Sequence, residues 1–281
     1  MSGSYDVERK IGVFSDIGDI VDAMKAYAGV AIRKTEGIIA NIREYERNVL
    51  LALADVMSSD ETGLFEETSG AKGLVVAFGS SQGLCGAYNE KLAETLSGFV
   101  KREDSLYVVG RRLKTTLESR RITPDAFQES IAGPGGLEQA WRDCISCLPE
   151  LYRKGGFYAL TLVFTAVSGQ KAEISTERLL PPPICGLKRE AGNQATPIIY
   201  LEKGRLFDRI LEEFISIGVY RGLTESLRSE NWYRLRSMEG ASENIKRHIS
   251  DLESLRRYLR QEEITGELLE ILGSGGFYGR L

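Results

Sequence analysis

From Leu206 to Leu272 the chain carries no proline, and apolar residues recur at steps of three and four: Leu223, Leu227, Leu235, Met238, Ile245, Ile249, Leu252, Leu255 and Leu259. That is the spacing of one face of a helix. At 1.5 Å rise per residue such a helix reaches about 100 Å, several times the radius of a compact domain of this length. A single domain does not cover so long a stripe, but a partner helix does. The N-terminal stretch supplies one: Ile11, Phe14, Ile17, Val21, Met24, Ala28, Ile32, Ile39, Ile42, Tyr45 and Val49 follow the same steps, with no proline before Pro124. Two amphipathic helices at the two ends of one chain predict an antiparallel coiled coil, closed by whatever lies between them. The plainer expectation is two ordinary helices of a helical domain. Gly12, Gly18, Gly29 and Gly37 favour it, since each costs about 1 kcal/mol in a helix interior relative to alanine. Lying near the apolar stripe, they also fit close helix contact.

The 281 residues leave room for one or two domains, and 42% hydrophobic content is enough for a core. A net charge of −4 argues against a general nucleic-acid binder. No apolar run is long enough to span a membrane as a helix. The start MSGSYDVERK has neither the apolar core of a signal peptide nor the arginine-rich character of a transit peptide. The expectation is a chain that stays in the cytoplasm of a prokaryote. Cys144 and Cys147 form a CxxC inside a predicted helix, Leu137 to Tyr152, where the spacing puts both on one face as small buried residues. A redox pair normally opens a helix just after a strand. A zinc site lacks ligands, because His248 is the only histidine and Cys85 and Cys185 stand alone.

Between the two helices the texture changes. Residues 57 to 70 are polar, acidic and aperiodic, which reads as a loop or hinge. Leu74 to Phe78 is a short apolar run of the buried-strand kind, followed by a glycine-rich turn and a helical stretch from Asn89 to Lys101. Leu106 to Val109 is a second strand, ended by Gly110 and followed by a helix to Arg121. Tyr158 to Val167 is the strongest strand, and Ala172 to Leu179 alternates as its hairpin partner. Pro181, Pro182 and Pro183 forbid regular structure, and Pro197 to Leu201 is a last short strand. Strand–helix–strand–helix order predicts a small α/β domain with parallel pairing and an antiparallel portion. Two enzyme readings are weak. The turn Gly79 to Gly86 follows a strand and precedes a helix, where backbone amides can cradle a phosphate. It is neither GxGxxG nor a P-loop, and close strand–helix packing explains its glycines equally. There is no GxSxG, and one histidine in the long helix is a poor base for a site elsewhere.

Three segments together resemble one family. Ser229-Glu230, Arg234, Met238, Ala241 and Asn244, and then Arg260-Gln261-x-x-Ile264-Thr265-x-Glu267-Leu268-x-Glu270-Ile271, are similar to the closing runs of the γ subunit of rotary F-type ATP synthases. Gly83-Leu84-Cys85-Gly86-Ala87-Tyr88-Asn89 is similar to that family's Gly-Leu-Cys-Gly turn. Ile20-Val21-x-Ala23-Met24-Lys25 is similar to its Ile-Thr-x-Ala-Met-Lys. The likeness covers nearly the whole chain in the same order. There are departures. Glu8 to Arg47 carries seven Lys/Arg against seven Asp/Glu, with four glycines, where the family is basic and nearly glycine-free. A glycine-rich tail, Gly273 to Leu281, replaces an alanine-rich ending. The reading is a divergent or alternate form.

The resemblance implies an α/β fold class: a long antiparallel coiled coil of the N- and C-terminal helices with an inserted Rossmann-like α/β domain. The divisions are 1–57 and 206–273 for the coil, 71–202 for the domain and 274–281 for the tail. It implies a central-stalk rotor subunit, without catalytic, cofactor or metal residues, which transmits torque between a membrane ion-translocating ring and a catalytic hexamer. The implied partners are the α and β subunits, the ε subunit and the membrane c-ring. No nucleic acid, membrane insertion or small-molecule substrate is expected, and the implied place is the cytoplasmic face of a prokaryotic membrane. Arg260, Gln261, Thr265 and Glu267 match positions that meet a loop of β. Met24, with Lys25, matches the residue facing the β lever. Arg256 and Arg257, with Lys246 and Arg247, give a basic excess suited to acidic β levers. Tyr200 and Glu202 fall where the ring-facing and ε-facing surface lies. Gly83, Leu84, Cys85, Gly86 and Asn89 form a structural turn. The competing readings are a phosphate- or nucleotide-binding enzyme with a coiled-coil dimerisation arm, and a scaffold whose coil recruits other partners.

Overall fold

Residues 74 to 78 alternate between two cores, which is why this strand reads as an unbroken apolar run. Val75 and Ala77 face one side with Leu106, Val108 and Val163; Leu74, Val76 and Phe78 face the other with Tyr107, Val109, Leu160, Leu162 and Phe164. A strand buried on both faces has no polar side to show. The computed structural model describes residues 2–56, 72–131, 133–183 and 200–275. The elements are α1 (Ser2–Val56), β1 (Gly73–Phe78), α2 (Tyr88–Phe99), β2 (Ser105–Val109), α3 (Arg111–Ser119), β3 (Ala126–Gln128), α4 (Leu137–Gly155), β4 (Ala159–Ser168), β5 (Lys171–Leu180) and α5 (Lys203–Gly275).

The five strands lie in the order β3-β2-β1-β4-β5. The pairs β1–β2, β2–β3 and β1–β4 are parallel, and β5 is an antiparallel edge against β4. Helices α2 and α3 cover one face through Leu92, Ala93, Leu96, Leu113 and Leu117. The other face is covered by α4, through Leu137, Ala140, Cys144 and Leu148, and by Phe214, Val219, Leu223 and Leu227 of α5. Each fully buried leucine, valine or phenylalanine among them contributes about 1.5–3 kcal/mol. This is the Rossmann-like layering predicted, with the direction of travel reversing between β1 and β4.

Two compact units divide the chain. One gathers the chain up to Tyr27 and from Leu235 onward; the other is Ala28–Arg234. Both long helices contribute to both units. In the first, Arg256 Nη1 lies 3.8 Å from Glu8 Oε1, the rings of Phe14 and His248 stack at 5.5 Å, and Ser242 Oγ donates to Asp22 Oδ1 at 3.3 Å. As numbers rise along α1 they fall by matching steps along α5, so the pairing is antiparallel. The second unit shows the same sense, with Glu36 against Arg228, Arg43 against Glu225 and Glu46 against Arg221.

Several expectations need correction. β3, three residues long and paired only with β2, was not predicted. Tyr200 and Leu201 are not strand; the rest of that segment, the predicted loop at 57–70, Cys185 and the tail from 276 lie outside the described residues. Cys144 is buried, but Cys147 is only half-buried, so the CxxC is not a pair of buried residues. Burial pushes the Cys144 thiol up to about 12, with hydrogen bonds to Tyr107 and Gln128 opposing. Ile17 and Tyr45 of the predicted stripe are exposed. The α1 glycines do not mark close approach: a Cβ on Gly12 or Gly37 would meet nothing within 4 Å, and one on Gly18 would touch Ile245 at an ordinary 3.5 Å.

Candidate functional site

The glycine-rich turn after β1 is closed by its own groups. Asn89 Oδ1 accepts from the Ser80 amide at 3.1 Å, and its Nδ2 donates to Ser80 Oγ at 2.9 Å. Asn89 Nδ2 also reaches Cys85 Sγ at 3.6 Å, and Ser80 Oγ donates to Gln82 O at 2.9 Å. Leu84 (φ 63°) and Gly86 (φ 53°) make the left-handed bends; Leu84 is exposed and Cys85 buried. Burial pushes the Cys85 thiol up, against a hydrogen bond to Ser80. A side chain on Gly83 would press on the Arg112 guanidinium at 3.2 Å. Of the turn residues read from sequence, Cys85 and Asn89 join Ser80 and Gln82 in this hydrogen-bonded network, while Leu84 and Gly86 make its bends.

In doubly wound sheets, ligands enter the crevice at the carboxyl ends of the strands, where the winding reverses. Here α5 occupies it. Ser226 Oγ donates to Phe78 O at 3.0 Å, at the end of β1, and lies 2.6 Å from the Tyr88 hydroxyl. Ser229 Oγ donates to Thr165 O of β4 at 2.6 Å. Burial pushes the Tyr88 phenol well above its usual range. The helix can lie this close because Gly218 and Gly222 face the sheet. A Cβ there would strike Leu179 at 2.8 Å and Phe78 at 2.7 Å. Gly218, Gly222, Ser226 and Ser229 recur at helical spacing, so one face of α5 is small and meets strand ends.

The neighbouring face of the same helix is charged and buried. Arg221 Nη1 donates to Glu177 Oε1 of β5 at 2.9 Å, and its Nε lies 2.6 Å from Glu46 Oε2 of α1. Burial alone would lift the Glu177 carboxyl, but Arg221 outweighs it and holds the group below its usual range. Arg43 Nη2 donates to Glu225 Oε1 at 2.6 Å, and Arg228 reaches Glu36 at 3.5 Å and Glu225 at 3.6 Å. Lower on the helix Arg234 is hydrogen-bonded to Glu230 and, at 3.0 Å, to Asn231. Burial pushes the Glu230 carboxyl up against the pull of Arg234. The Gly-Leu-Cys-Gly turn thus meets α5 just ahead of the Ser-Glu…Arg run, where the Tyr88 hydroxyl bonds to Ser226, and the charges of Glu230 and Arg234 act on the Cys85 thiol. Arg221, Glu46, Glu177, Glu225 and Arg43 were not singled out from sequence. The small residues four apart on α5, Gly218, Gly222 and Ser226, mark where the helix lies close to the sheet, and carry no signal for the charged partners on α1 and β5.

The other predicted residues lie elsewhere. Met24 and Lys25 are partly buried on α1. Arg256 faces Glu8, and Arg257 Nη2 donates to Ser254 Oγ at 3.1 Å within its own helix. Arg260, Gln261, Thr265 and Glu267 are exposed on α5, and Thr265 Oγ1 donates to Gln261 O at 2.8 Å. Tyr200 is 91% exposed, and Glu202 pairs with Arg205 at 3.5 Å. The structure brings Cys85 and Asn89 of the turn together with Ser80. Among the described residues no group of acidic, histidine and cysteine side chains has the makings of a metal site.

Comparison with known proteins gives one consistent result. The sequence model of a protein family described as ATP synthase matches residues 4–275. A chain named ATP synthase gamma chain from Bdellovibrio bacteriovorus is 26% identical, with 97% of each chain covered. A chain in the cryo-EM structure of the Euglena gracilis mitochondrial ATP synthase (OSCP, F1 and c-ring) superposes with a TM-score of 0.65 at 17% identity, covering 100% of this chain and 97% of that one. A chain in the central stalk and c-ring structure of the Tetrahymena thermophila mitochondrial ATP synthase gives a TM-score of 0.61 at 18% identity, covering 79% of this chain and 99% of that one.

Proposed function

Since the chain belongs to the ATP synthase family, we propose that it is the central-stalk rotor subunit, the γ chain, of an F-type ATP synthase. It is a non-catalytic member of the complex. It passes torque between the membrane ion-translocating ring and the catalytic α/β hexamer, with α, β, ε and the c-ring as its partners. The observation that carries this reading is the family match over residues 4–275 on a chain whose two ends pair antiparallel. The Rossmann-like crevice supports it, because α5 side chains stand where a nucleotide would bind in an enzyme of this fold. The paired ends act as a coiled-coil axle, and the intervening body docks on the ring. Among the described residues no helix is long and apolar enough to cross a membrane, which fits a peripheral place at the cytoplasmic face of a prokaryotic cell membrane.

In this reading Arg260, Gln261, Thr265 and Glu267 form the upper catch against a loop of β, and Met24 and Lys25 face its lever. Arg256 and Arg257 present charge to the same subunit, and Tyr200 and Glu202 face the ring and ε. The test is reconstitution of the purified chain with F-type α and β subunits. One copy is expected to join each hexamer and confer steady ATP turnover; absence of co-assembly would overturn the assignment. In the assembled complex, Gln261→Ala with Thr265→Ala is expected to lower turnover while leaving nucleotide affinity unchanged. Unchanged turnover in that double variant would remove the catch.

A further inference from the structure

The middle of α5 is buried on two faces by contacts of a kind an axle does not need merely to hold together. Apolar packing is non-directional, and surfaces joined only by it can shift azimuth at little cost. Hydrogen bonds and ion pairs fix direction as well as distance. Along one short stretch, α5 makes such bonds to β1 through Ser226, to β4 through Ser229, and to α2 through the Tyr88 hydroxyl. The same stretch bonds to β5 through Arg221 and to α4, where Trp141 Nε1 donates to Ser216 O at 3.0 Å. Arg221 is the convergence point. It holds a carboxylate from α1 and one from β5 at once, and its guanidinium lies 5.6 Å from the Phe164 ring centre. Turning α5 about its own axis would separate these buried charges, and an unpaired buried charge is strongly penalised.

We propose that Arg221, with Glu46, Glu177 and the Tyr88–Ser226 hydroxyl pair, is the grip through which torque passes between the α/β body and the helix pair. These are positioning residues, and the inference rests on the central-stalk reading. The body is joined covalently to α1 and α5 at its two ends, so a weakened grip gives slack under load and not free rotation.

The experiment uses complete complexes, immobilised by the hexamer, with wild-type or variant chain and a rotation probe fixed to the α/β body, and reads ATP hydrolysis per complex and the angular spread of the probe while rotation is paused. Arg221→Met is expected to keep hydrolysis and widen the spread at least about twofold, with Arg221→Lys restoring part of the wild-type value. Tyr88→Phe with Ser226→Ala, which removes two hydroxyls and no charge, is expected to give a smaller widening. A merely structural role would reduce the amount of complex assembled and leave the spread unchanged in what remains. An unchanged spread in the assembled variants overturns the grip. If Arg221→Met does not assemble, the hydroxyl variant decides by the same spread. Failure of the wild-type chain to assemble would instead overturn the central-stalk reading.

Discussion

At Gly222 the lack of a side chain decides how near α5 comes to the strand ends. A Cβ would sit 2.7 Å from the Phe78 ring, and that ring is fully buried with nowhere to retreat. Overpacking of this kind costs about 1–3 kcal/mol, against roughly 1 kcal/mol gained in helix propensity. Gly222→Ala is therefore expected to lower the denaturant midpoint of the purified chain despite being the better helix former; an unchanged or raised midpoint would contradict the close approach. The turn residues Gly83 to Asn89 were legible in the sequence because their chemistry is local, with Asn89 bonding back to Ser80 nine positions earlier. Arg221 was not, because the glutamates that define it lie far away on α1 and β5, and a single arginine among charged neighbours reads as solvated surface.

At the scale of elements, the long helices and four of the five strands could be read from apolar spacing. β1 and β4 announce themselves because both faces are buried. β3 does not, since three residues at an edge with one neighbour carry too little pattern. The apolar stripes were right in kind and loose in detail. A straight helix drifts about 20° per heptad against a strict 3.5-residue repeat. A list of three- and four-residue steps therefore wanders off the buried face, as at Ile17, Tyr45 and Leu255. The glycines of α1 yield a clean expectation. Gly12 and Gly37 have open space where a side chain would stand. Replacing either with alanine should raise stability by about 1 kcal/mol, read as a shift in thermal unfolding of the isolated chain. A loss at Gly37 would mean that the helix there meets a neighbour.

For the whole molecule, the order of motifs along the chain pointed to the family, and the matched family model extends over nearly the same residues. What sequence alone did not reveal is that the turn and α5 meet inside one unit, where the Tyr88 hydroxyl bonds to Ser226. The purified chain is expected neither to bind nor to hydrolyse ATP; calorimetric titration and a phosphate-release assay check this, and single-chain hydrolysis would restore the enzyme reading. The seating of α5 on the strand ends has one more consequence. Any small molecule competing for that crevice would first have to evict a helix that also holds the sheet's hydrophobic core together. A nucleotide mimic aimed at that crevice would therefore meet protein side chains already bonded to the carbonyls of Phe78 and Thr165.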